Sequence, residues 1–256
     1  LGAVLETRAA HGASAPFHAT LDTRAFYTTA GRQAKLGLGS SAALTVALAG
    51  AVCALNRQDR PSVETLIAAH RRAQDGYGSG LDIAASLVGG LLVYRLQDGQ
   101  PRITPATWPA GLEWCCVWSG KSASTRAFLV KLATWRAHAP ARHAAVLRDL
   151  GDCARAAAAA GNAATLLEAV AAYTLSLDRF ADASGLDILG AGHRNLRTLA
   201  ARHGVTYKSC GAGGGDIGIG LATDAGRLQA FRQAAAAAGF PVLDLQPATG
   251  GGLRLH

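Results

Sequence analysis

Methionine is absent from this 256-residue chain, which opens on Leu1. An N-terminal portion of the gene product is therefore expected upstream. No stretch approaches the ~20 apolar residues that a membrane span needs. The most apolar segment, residues 42–55, follows a glycine loop and reads as a buried helix. No secretory leader is visible, so no membrane partner is expected. Lys/Arg runs are missing too: Arg71-Arg72 is the densest pair, and no basic stripe alternates with aromatics. That excludes the usual single-strand nucleic-acid surface. The five cysteines are odd in number and hold no C-x-x-C. A disulfide framework and a zinc site are thus disfavoured, and a cytoplasmic, reducing setting is the expectation. Cys115 and Cys116 read as small strand hydrophobes, and no H-E-x-x-H marks the eight histidines as metal ligands.

Half of the chain is apolar, enough for a real core. Lys plus Arg exceed Asp plus Glu by 25 − 17 = 8, a balance that favours anionic partners. Because the cations are scattered, small phosphorylated ligands fit better than nucleic acid. Patterning predicts a strand over residues 17–27 and helices over 40–55, 62–75 and 83–88. A strand over 91–96, a proline-containing loop and a strand over 113–118 follow. Residues 125–203 read as mostly helical, punctuated by Gly151, Gly161 and Gly185. Strands at 205–208, 216–222, 242–245 and 253–256 and a helix at 225–238 complete the reading. Strands at both ends and a helical middle imply an α+β protein of two lobes, divided as residues 1–120 and 121–256, monomeric or homodimeric.

Four clusters could do chemistry. Gly37-Leu38-Gly39-Ser40-Ser41-Ala42-Ala43, preceded by Lys35, combines close-approach glycines, two hydroxyls and a helix start. It lacks the Gly-Lys-Ser/Thr and G-x-G-x-x-G patterns, and a plain glycine turn with Ser40 as N-cap is the competing reading. Gly78-Ser79-Gly80-Leu81-Asp82 puts a carboxylate after a glycine turn, suited either to catalysis or to capping the helix from Ile83. Lys208 leads into Ser209-Cys210-Gly211-Ala212-Gly213-Gly214-Gly215-Asp216, an anion-binding concavity or a flexible connection in which Asp216 is structural. Trp118 to Thr125 gathers the hydroxyls of Ser122 and Ser124 before a helix.

Together these segments resemble the GHMP kinases (galacto-, homoserine, mevalonate and phosphomevalonate kinases), and within them the phosphomevalonate type. The likeness runs over residues 15–221. It implies a two-lobed fold, with a ribosomal protein S5 domain 2-like N-lobe and a ferredoxin-like C-lobe, whose N-terminal part is missing from this chain. It also implies phosphoryl transfer from ATP with Mg²⁺ to a small-molecule acceptor. Asp82 would be the catalytic residue. Lys35, Gly37, Leu38, Gly39, Ser40, Ser41 and Ala42 would hold the nucleotide, with Ser41 on the metal. Ser79, Ser122, Ser124, Lys208, Gly211, Ala212, Gly213 and Gly214 would flank the acceptor. The alternatives are transfer to a hydroxyl of mevalonate or a sugar, and an inactive nucleotide-binding regulator. Three departures stand out. The family's N-terminal lysine motif is absent, Ser209-Cys210 replaces Pro-Ser, and His70, Gln74 and Asp75 stand where mevalonate kinases carry a metal-binding glutamate.

Overall fold

A computed structural model of the chain describes residues 17–28, 34–123, 125–246 and 252–253. Two units emerge, one centred on Leu38–Trp108 and the other on Pro109–Leu245 with the described part of Tyr27–Gly37.

In the first unit, the proline-free run Ser40–Leu55 forms α1, entered through Gly39 at φ 72°. Helix α2 (Val63–Arg72) starts where the Ser62 hydroxyl accepts the Thr65 N–H at 3.2 Å. Glu64 lies in its first turn and His70, Arg71 and Arg72 in its last, the order the helix dipole favours. Helix α3 (Leu81–Val88) follows Gly80. The apolar stripes of the three helices meet in one core containing Val46, Val52, Leu66, Ile67, Ile83 and Leu87.

Strands β1 (Leu91–Gln97) and β2 (Gln100–Ala106) form an antiparallel hairpin. Its turn residues, Asp98 and Gly99, both adopt positive φ, as a two-residue type I′ turn demands. The expected proline loop is thus a strand. Pro101 and Pro105 share parity, so both donor-less nitrogens can face the free edge of a two-stranded sheet.

The second unit runs β3 (Glu113–Trp118), α4 (Thr125–His138), α5 (Pro140–Ala158), α6 (Ala163–Ser184), α7 (Gly190–Arg202) and β4 (Thr206–Ser209). Then come β5 (Ile217–Ala222), α8 (Ala225–Ala237) and β6 (Val242–Leu243). The sheet order is β4-β5-β3-β6 with every neighbour antiparallel. Reduced to strand, helices, strand, strand, helix, strand, this is the ferredoxin-like arrangement. Leu196 and Ala200 of α7 and Leu228, Phe231 and Ala235 of α8 cover the sheet face carrying Cys115, Val117, Tyr207 and Ala222. Gly161 precedes the capping residue of α6, Asn162, and Gly185 ends that helix at φ 67°. Gly151, by contrast, lies inside α5.

Two further expectations change. Residues 17–27 form no strand among those described. Asp22 accepts the Arg24 N–H at 3.0 Å and its guanidinium at 2.6 Å, and the chain turns through a single 3-10 turn, Arg24–Phe26. Such local side-chain bonds compete with extended pairing. At the other end Leu253 lies outside any strand, donating to Leu87 O at 3.1 Å, and residues 254–256 fall outside the described set.

Phe231 is fully buried at the centre of the second core. Replacing it with alanine should lower unfolding free energy by about 3–5 kcal/mol, read as a reduced urea midpoint with native far-UV dichroism retained.

Candidate functional site

Within the first unit, two helix starts face each other across a glycine. The first intrahelical donor of α1 is the Ala43 N–H, bonded to Gly39 O at 3.0 Å. The N–H groups of Ser40, Ser41 and Ala42 come before it and have no acceptor within the helix. Gly39 itself is the cap residue, so Ser40 is the first helical residue and not the N-cap. Likewise Gly80 caps α3 at φ 91°, which removes Asp82 from a capping role and leaves it exposed in the first turn. A Cβ built on Gly39 would lie 3.5 Å from the Asp82 Cγ and 3.7 Å from its Oδ2. The Asp82 carboxylate therefore sits beside the donor-rich start of α1.

The turn before Asp82 is braced from several sides. Arg71 Nε donates to Gly78 O at 2.9 Å, and the Tyr94 hydroxyl donates to Ser79 O at 2.6 Å. Ser79 Oγ accepts the Leu81 N–H at 3.2 Å, so part of its hydrogen-bonding capacity is spent locally. At Ser41, Oγ lies 3.0 Å from His70 Nε2, and the Gln74 amide nitrogen lies 3.0 Å from the same ring nitrogen. An amide nitrogen only donates, so His70 Nε2 is an acceptor and receives the Ser41 hydroxyl proton as well. Burial pushes the His70 pKa down, with the Asp82 charge opposing, which fits a neutral ring.

The second unit holds the other candidates. Ser122 Oγ donates to Lys35 O at 2.9 Å. Asp216 donates its N–H to Lys121 O at 2.6 Å and accepts the Ala123 N–H on Oδ1 at 3.1 Å. Its side chain fills the space beside Gly37, where any Cβ would collide with the carboxyl group. In the glycine loop, Gly213 N–H bonds Cys210 O and Gly214 N–H bonds Ile188 O. A Cβ on Gly213 would meet the Ile188 carbonyl and one on Gly215 the Lys121 carbonyl. These glycines serve close packing, whereas Gly211 and Ala212 form the exposed tip. Lys208 Nζ donates to Ser209 O at 2.9 Å and lies 4.7 Å from the Tyr173 ring centroid. Its pKa is lowered by burial, against the pull of Cys210. Ser124 lies outside the described residues.

His193 carries no motif signal, yet it anchors the loop. Nε2 lies 2.7 Å from Gly215 O and must donate to it, so in the neutral ring Nδ1 accepts the Tyr207 hydroxyl at 2.8 Å. Burial lowers its pKa, opposed by the Gly215 bond and by Asp216. Thiolate chemistry is disfavoured: burial raises Cys115 to about 11 and Cys116 to about 12, and Cys210 shifts upward too. Among the described residues no three His, Cys, Asp or Glu side chains cluster as a metal site, and no helix is long and apolar enough to cross a membrane.

The GHMP kinases N terminal domain profile matches residues 2–90. The phosphomevalonate kinase of Streptomyces sp. (strain CL190) is 34% identical over 250 residues, covering 85% of this chain and 66% of its own length. Residues 2–90 carry a GHMP kinase N-terminal domain. Solved structures support the fold. The Lin0012 protein from Listeria innocua aligns with a TM-score of 0.77 at 21% identity, over 84% of this chain and 67% of its own. The Streptococcus pneumoniae phosphomevalonate kinase, solved with phosphomevalonate and AMPPNP, aligns at 0.70 and 20% identity, over 83% and 69%. The chain thus spans just under two thirds of the curated relative's length.

Both buried histidines have pKa values pushed below the ordinary 6.5. Below that value the unfolded chain binds protons that the folded chain does not, so stability falls as pH drops. Urea midpoints should decline from pH 7 to pH 5, and His193→Gln should show a shallower decline despite a lower midpoint at pH 7.

Proposed function

We propose that this chain contributes the catalytic machinery of an ATP-dependent phosphotransferase that acts on phosphomevalonate or a similar phosphorylated metabolite. The observation that carries the reading is the Asp82 carboxylate beside Gly39, at the start of a 16-residue helix with free N–H groups. Such a start binds phosphate oxygens through backbone donors and the positive end of the dipole. The 34% identity to a phosphomevalonate kinase supports the choice of acceptor.

In the reaction an acceptor oxygen attacks the γ-phosphorus in line, a new P–O bond forms, and the bond to the β,γ-bridging oxygen breaks to release ADP. The protein's part is mainly positioning and charge stabilisation. Ser40, Ser41 and Ala42 present their N–H groups to the nucleotide phosphates, and the neutral His70 fixes the Ser41 hydroxyl. A phosphate monoester acceptor is largely dianionic at neutral pH, its second pKa being about 6. Asp82 then has no acceptor proton to remove and serves to orient the reacting groups. The donor set fits Mg²⁺ as kinases use it, with one or two carboxylates, waters and substrate phosphates. Asp82 and Ser41 would hold it, and when bound it neutralises charge on the transferring phosphoryl group.

Coupled ADP-release assays with phosphomevalonate, mevalonate and several sugars test the reading on full-length protein. Phosphomevalonate should give the highest kcat/KM, and a preference for an unphosphorylated hydroxyl would overturn the acceptor assignment. Asp82→Asn should reduce turnover by about 10²-fold or more, the scale of lost orientation, with an unchanged urea midpoint. Near-normal turnover would remove Asp82 from the mechanism.

A further inference from the structure

Asp216 bonds more segments than any glycine loop requires of its last residue. It adopts φ 61°, a left-handed conformation uncommon outside glycine that aspartate takes more readily than most residues. Several contacts hold it there. Its N–H donates to Lys121 O at 2.6 Å, and its C=O accepts the Ser119 N–H at 2.8 Å. Its Oδ1 accepts the Ala123 N–H at 3.1 Å. The carboxyl group lies so close to Gly37 that a Cβ there would overlap it. Behind it, His193 holds Gly215 O, and the Tyr207 hydroxyl holds His193. Beside it, the Ser122 hydroxyl ties the same turn to Lys35 O.

We propose that Asp216 is a positioning residue for nucleotide-phosphate binding, joining the Gly37 end of the central loop, the Ser122 turn and the glycine loop into one fixed surface. The proposal rests on the kinase reading for the identity of the ligand. Its geometry does not depend on that reading. The carboxylate does two things here. Oδ1 occupies the Ala123 N–H, which holds the Ser122 turn in place, and the bulk of the group seats the backbone at Gly37. Lys35 and His193 are the cationic or ionisable groups that act on it; burial raises the Asp216 pKa, while the Ala123 bond, Lys35 and His193 lower it. The arrangement keeps two loops in their binding shape before any ligand arrives, which spares the ordering cost at binding.

The test compares Asp216→Asn and Asp216→Ala with wild type by three measurements: ADP release, urea midpoint, and hydrogen exchange of the peptides covering residues 121–123 and 211–215. Asparagine keeps an Oδ1 acceptor for Ala123, and alanine does not. Asp216→Ala should raise KM for ATP at least tenfold and speed exchange in both peptides, while Asp216→Asn stays within about threefold of wild type. Rescue by asparagine separates positioning from a general loss of stability, which would not sort by acceptor. Wild-type KM and exchange in a folded Asp216→Ala overturns the proposal, and so does an asparagine variant as impaired as the alanine one. If alanine prevents folding, Asp216→Glu carries the test: its extra methylene must displace Gly37, and a wild-type KM with wild-type exchange there overturns the proposal. If wild-type protein releases no ADP with any acceptor, the kinase reading fails on its own. The exchange comparison still decides whether Asp216 joins the segments, and equal exchange refutes it.

Discussion

Gly37 and Gly39 each have an aspartate at their flank, and each pair constrains the backbone of its own unit. In the second unit the Asp216 carboxyl group occupies the place a side chain on Gly37 would need. In the first, Asp82 stands 3.5 Å from where a Cβ on Gly39 would be. Both glycines also run at positive φ, so a substitution would meet backbone strain as well as the neighbouring carboxylate. The two aspartates differ in surroundings. Asp82 is exposed in the first turn of α3, where a negative charge is favoured by about 0.3–1 kcal/mol through the helix dipole. Asp216 is half-buried and spends an oxygen on a backbone amide. One carboxylate is open to solvent, and the other is spent on the backbone of its own unit.

Histidine supports both halves from behind without adding charge. His70 receives the Ser41 hydroxyl, and His193 grips Gly215 between β5 and α7. Burial lowers both pKa values, so both rings are neutral near pH 7. A carboxylate in either place would add negative charge next to a loop proposed to bind phosphate. A lysine would donate but could not accept the serine proton. Neutral imidazole offers one donor and one acceptor in a rigid plane, which is what a bridge between a hydroxyl or carbonyl and a second polar group requires.

Local signals carried much of this into the sequence. The run Ser40–Leu55 and the strand Glu113–Trp118 fall where their continuous apolar runs placed them, the helix starting directly after Gly39. The ferredoxin-like lobe was implied by the family resemblance, and the strand order β4-β5-β3-β6 agrees with it. What failed did so for identifiable reasons. Two prolines hid β2, although the Asp98-Gly99 turn announced a hairpin. Both cap assignments were displaced, since glycine took the cap position and left Ser40 and Asp82 inside the first turns. The close packing of the glycines at 213–215 against Ile188, Phe128 and Lys121 is a tertiary fact that no local pattern encodes. His193 was invisible for the same reason: its partners, Tyr207 and Gly215, lie 14 and 22 residues away.

The basic composition explains less of the site than it first suggests. Arg71 spends its guanidinium on the carbonyls of Gly78 and Ser79, bracing the turn that presents Asp82. Lys208 lies over the Tyr173 ring with its ammonium on a neighbouring carbonyl, and burial favours its uncharged form. Lys35 is exposed, but its carbonyl is bonded to Ser122 and the negative Asp216 is close enough for their charges to interact. A net charge of +8 draws anions toward the protein at long range, over roughly the 8–10 Å that salt allows. On the proposed kinase reading, contact falls to oriented backbone N–H groups, which need no counter-charge and lose no side-chain entropy when a phosphate binds. On that reading the glycines, more than the lysines, fix where the loop would bind.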